Sequence, residues 1–87
     1  MTESDAGDSA PGRVESEILA YLRMRPSAVD TARGVREWWL ARLQPRPVAG
    51  EVESALERLA RAGLVRCRTN PDGTVLWFAA PPGAGEA

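Results

Sequence analysis

Residues 51–80, EVESALERLARAGLVRCRTNPDGTVLWFAA, constrain the fold more than any other stretch of this chain. Val52, Ala55, Leu56 and Leu59 recur at helical spacing, so a helix is predicted over residues 47–62. Gly63 follows, where a helix commonly ends in the left-handed conformation that glycine tolerates. Leu64 is then expected to return to the core. Two short segments come next. In the first, Val65 and Cys67 alternate with Arg66 and Arg68; in the second, Val75 and Trp77 alternate with Leu76 and Phe78. Pro71 and Asp72 between them fit the centre of a type I turn, and Gly73 supplies the positive φ that closes such a hairpin. A helix running through a glycine stop into a tight hairpin leaves few architectures open.

Two further helices are predicted upstream. The first covers Arg13 to Arg25, with Val14, Ile18, Tyr21, Leu22 and Arg25 on one face and Pro26 as its stop. Pro26 to Asp30 is expected to be a connector in which Val29 plugs the edge of the core. Asp30 is suited to cap the second helix, because its carboxylate can accept the free amide protons of a first turn. That helix is expected over Thr31 to Leu43, with Val35, Trp39 and Leu43 as its central stripe. Trp38 and Leu40 lie about 100° to either side of Trp39. They cannot share its depth, so at least one is expected to stay partly exposed. Gln44-Pro45-Arg46-Pro47 is the break, and Pro47 suits the first position of the third helix.

The 87 residues allow one small domain. Residues 1–12 and 81–87 are small, polar and acidic, and are expected to be disordered tails around a domain at 13–80. All eleven basic residues are arginine, a pattern expected of a GC-rich coding bias. The overall charge of -1 hides an uneven distribution: residues 13–80 hold eleven arginines against eight acids, a net +3. That is mildly basic and compatible with nucleic acid. A single cysteine, Cys67, and no histidine leave too few ligands for a zinc site and none for an internal disulfide. A cytoplasmic protein is expected, with no apolar run long enough for a membrane, no signal peptide, no cofactor and no metal.

Three helices followed by a terminal hairpin, with a short break between the second and third helices, resemble the winged helix-turn-helix superfamily. The likeness covers about 13–80 and is most specific in ALERLARAGLVR, residues 55–66, with the hairpin after it. It implies a mainly α fold with a small β-hairpin. It also implies that the third helix would enter the major groove of DNA. The outward face of that helix offers Gly50, Glu51, Ser54, Glu57, Arg58 and Arg61. Its front half lacks an arginine for guanine and an asparagine or glutamine for adenine. Arg46, Arg58, Arg61, Arg66 and Arg68 are candidates to hold phosphates, with Ser54 nearest the bases. The plainer reading is a charged surface helix, with acids in the first turn favoured by the helix dipole and Glu57 paired with Arg61.

Three tryptophans are many for so small a core. Trp39 is expected at its centre, and Trp77 to anchor the wing. Trp38 with Leu40 is the candidate protein interface, and Trp38 lying over the first helix or the hairpin is the plainer reading. Cys67 is expected as a half-buried strand residue, with a reactive thiol between two arginines as the sharper alternative. No constellation suited to catalysis is visible, so an enzyme is not expected. Two functions compete. One is a small DNA-binding regulator, expected to be a homodimer, using the third helix and the wing. The other is a winged-helix adaptor or assembly subunit that binds protein and not DNA. The fold's default role favours DNA by a small margin.

Overall fold

The computed structural model describes residues 12–81. The tails expected at 1–12 and 81–87 lie outside the described residues, apart from Gly12 and Pro81. Helix α1 spans Arg13–Met24 and buries Val14, Ile18 and Leu22, with Tyr21 half-buried. Pro26 stops it as expected. Arg25 does not join the inner face: it follows the last helical residue, is exposed, and lays its guanidinium over the Tyr21 ring at 5.7 Å.

The connector contains a strand that the sequence reading missed. Strand β1, Val29–Asp30, pairs antiparallel with the last strand through Val29↔Phe78 and Asp30↔Trp77. Val29 is exposed and plugs nothing, because its register places it with Phe78 on the outer face of the sheet. Ala28 packs against the core instead.

The second helix departs most from expectation. Helix α2 is only Ala32–Gly34, and Thr31 caps it, its hydroxyl accepting from the Gly34 amide at 3.1 Å. Asp30, the expected cap, accepts from the Thr31 amide at 2.9 Å. Its carboxylate also occupies the space beside Gly34, where a Cβ would come within 1.8 Å of Oδ1. From Val35 to Trp39 the chain forms a π-helical turn, closed by the Leu40 amide donating to the Val35 carbonyl at 3.0 Å. The helix therefore ends at Trp39 and not at Leu43. The wider turn brings Val35, Trp39 and Leu40 into the core together and leaves Trp38 outside.

Helix α3, Ala49–Arg61, starts after the N-cap residue Val48, so Pro47 lies two residues before its first turn. Pro47 is buried, and its carbonyl accepts from Arg36 Nε at 2.7 Å, tying the π turn to the entrance of α3. Val52, Ala55, Leu56 and Leu59 face inward as predicted. At the far end the Leu64 amide reaches the Leu59 carbonyl and the Gly63 amide reaches that of Ala60, with Gly63 at φ 79°. Leu64 stays half in solvent, and Val65 makes the return to the core.

Strands β2, Val65–Thr69, and β3, Val75–Ala79, form the expected hairpin with Cys67 opposite Trp77. Gly73 has φ 91° and donates to the Asn70 carbonyl, closing the turn. The sheet order is β1-β3-β2, which leaves β2 at an edge. Trp77 and Ala79 pack against the helices. The described residues form a mixed α/β arrangement of three helices and a three-stranded antiparallel sheet, in place of a mainly α unit with a small hairpin. No described helix is long and apolar enough to cross a membrane.

Candidate functional site

On α3 the outward residues Gly50, Glu51, Ser54, Glu57, Arg58 and Arg61 are all exposed. Two of them have structural partners. Glu51 accepts from the Val48 amide at 3.1 Å, satisfying one of the free donors at the helix start. Arg58 Nε donates to Glu15 Oε2 of α1 at 2.5 Å. The Glu15 side chain is buried, and this hydrogen bond holds its carboxyl below the usual carboxylate range against the opposing effect of burial. The same bond raises Arg58. Arg58, expected as a phosphate ligand, therefore spends its charge inside the molecule. Among the described residues the ion pairs are this one and Arg33–Glu37, so the expected Glu57–Arg61 pair is not formed.

The remaining predicted nucleic-acid residues are placed separately. Arg46 is exposed in the loop before α3, and Ser54 and Arg61 are exposed on its outer face. Arg66 and Arg68 are exposed on β2, on the sheet face shared with Phe78 and Leu76, their cross-strand partners. Apart from Arg58, the charges of α3 itself are three acids, Glu51, Glu53 and Glu57, against Arg61. A positive stripe running from Arg46 through Arg58 to Arg66 is interrupted at its middle member.

A second surface forms where α1 meets the π turn. Trp38 is 69% exposed and Met24 is 81% exposed. Both line a cleft of about 310 Å³ with Glu17, Tyr21, Trp39 and Arg42. Tyr21 and Trp39 stack at its base, ring centroids 5.0 Å apart and planes within 8°. The Arg25 guanidinium lies over the Tyr21 ring. The cleft thus has a rigid aromatic floor, two apolar side chains in solvent, and a rim where Arg25 and Arg42 outnumber Glu17. Leu40 takes no part: it is fully buried, because the extra residue of the π turn rotates it under the helix. The expected pair of Trp38 with Leu40 is replaced by Trp38 with Met24. Met24 was legible as an apolar residue off the α1 stripe, one turn beyond Ala20 and just before the proline stop.

Cys67, expected half-buried, is exposed. Among the described residues no group of three or more His, Cys, Asp and Glu is arranged to hold a metal. No family model and no curated protein matches the chain.

Proposed function

We propose that this chain is a winged helix-turn-helix domain serving as a protein-interaction module, an adaptor or subunit that docks a partner on the Trp38 cleft. The element order α1-β1-α2-α3-β2-β3, with β1 beside β3, supports the winged-helix assignment. The observation that carries the function is Trp38 standing in solvent beside Met24 over the Tyr21–Trp39 stack. Tryptophan, tyrosine, methionine and arginine are the side chains enriched at protein interfaces, and large aromatics dominate their energetics. A buried partner would remove this surface from water. The arginines of the rim favour a segment with one large apolar anchor flanked by carboxylates.

Duplex DNA is the second reading, and one observation favours it: Arg46, Arg61, Arg66 and Arg68 are exposed. Against it stand the acidic outer face of α3 and the engagement of Arg58 by Glu15. The test has two arms. A photoreactive residue at position 24, in the cells the chain comes from, identifies a partner, and the purified pair is then titrated. Trp38→Ala should weaken that complex by about thirtyfold, the effect of losing an interface anchor. Random-sequence duplex titrated against salt should show no steep dependence. A complex indifferent to Trp38, or a duplex affinity that falls steeply with salt, overturns the adaptor reading.

A further inference from the structure

Strand β2 lies at an edge of the sheet and contributes no residue to the Trp38 cleft. In an antiparallel pair, residues alternate between those bonded to the neighbour and those whose amide and carbonyl point away from it. The Asn70 amide bonds the Thr74 carbonyl, and the Ala80 amide bonds the Leu64 carbonyl. With the register Arg68↔Leu76 and Arg66↔Phe78, these fix the phase: Arg66 and Arg68 bond β3. Val65, Cys67 and Thr69 therefore turn their backbone groups away from β3; Cys67 and Thr69 are exposed, whereas Val65 is buried. The sheet places no strand beyond β2, and among the described residues no other backbone hydrogen bond reaches those three. The exposed part of the edge presents two donor–acceptor positions, Cys67 and Thr69.

Its side chains decide what can pair there. Arg66 and Arg68 stand exposed on one face of the same edge. A second copy pairing antiparallel about Cys67, the middle residue of β2, would set Arg66 against Arg68 of that copy twice over. Like charges directly opposite each other are destabilising, so the arginines discourage self-pairing. The same two charges, spaced by two residues, match a strand with carboxylates at alternate positions. We propose that β2 accepts an extended acidic segment of a partner protein as a fourth strand, with backbone bonds to Cys67 and Thr69 and carboxylates against Arg66 and Arg68. Attraction for the acidic strand and repulsion of a second copy then come from one pair of residues.

The probe is an end-blocked eight-residue peptide alternating Glu with Thr, read by residue-resolved amide exchange and by titration. The full chain should bind it with slowed exchange at Cys67 and Thr69, while Arg66 and Arg68, already bonded, change little. Arg66→Glu with Arg68→Glu should weaken binding about tenfold or more, and a Lys-Thr peptide should recover it. A peptide N-methylated along its pairing edge should not bind. No binding, binding that leaves the Cys67 and Thr69 amides exchanging freely, or equal binding of the N-methylated peptide each overturns strand addition. So does protection of those amides by self-association alone, or binding of random duplex without binding of the peptide.

Discussion

Glu15 of α1 and Arg58 of α3 are joined by a hydrogen-bonded ion pair in which the acid is buried and the base is half in solvent. The pair fastens two helices that are 43 residues apart in sequence. It also engages, on the outer face of α3, one of the arginines expected to meet a phosphate.

Acid stability should depend on that pair. The Glu15 pKa is lowered in the folded chain, chiefly by the Arg58 hydrogen bond. The unfolded chain therefore holds the extra proton in the window between the folded value and about 4.3. The contribution is complete above that window and is lost as pH falls through the folded value. Urea midpoints for Glu15→Gln should accordingly show a flatter decline than wild type between about pH 5 and pH 2. Parallel decline in the two proteins would show that the pair contributes nothing to acid stability.

The two adjacent tryptophans should differ sharply. Trp39 is buried on Tyr21, and Trp39→Ala should cost about 3–5 kcal/mol, enough to unfold a domain of this size. Trp38→Ala, at an exposed site, should cost less than about 1 kcal/mol. Denaturant melts that give equal losses would sink the assignment of Trp38 to a docking surface.

Gly34 and Asp30 should be coupled. Helix propensity alone would favour alanine over glycine by about 1 kcal/mol. Yet a Cβ at Gly34 meets the Asp30 carboxylate at 1.8 Å, so Gly34→Ala should destabilise by about 1–3 kcal/mol. Adding Asp30→Ala should recover part of that loss. Strict additivity in the double-mutant cycle would mean that the carboxylate moves aside freely.

Glu51 should behave as a capping residue. Glu51→Ala removes the acceptor of the Val48 amide and should cost about 0.5–1 kcal/mol in a thermal melt. Its effect on duplex affinity should be negligible. A large gain in duplex affinity would instead place Glu51 among phosphates.

The helices α1 and α3 and both positive-φ glycines were legible because each rests on local pattern: an apolar stripe with a proline or glycine stop, or a turn type with one residue demand. Strand β1 was not, since two residues carry no alternation. The π turn was not, because Val35 and Trp39 at a spacing of four fit an α-helix equally well. What decides it is closure at Leu40 and the Arg36 bond to Pro47, a contact across eleven positions. Glu15 looks like any solvated acid until α3 arrives beside it. The candidate arginines were legible as residue types, but which of them remain available depends on such long-range partners. Trp38 was separable from Trp39 by angle, while its company with Met24 required the packing of two helices.

The π turn makes this helix sensitive to a change in chain length. A five-residue closure is an α turn carrying one surplus residue. Removing Glu37, whose only described partner is the exposed Arg33, would leave Val35, Trp39 and Leu40 at relative positions 0, 3 and 4, the spacing of an ordinary apolar stripe. The core would thus accept a single-residue deletion, while the protruding Trp38 would change its direction relative to α1. Interior and exterior of this segment are set by separate means: composition fixes what is inside, and one unit of length sets where the exposed tryptophan points.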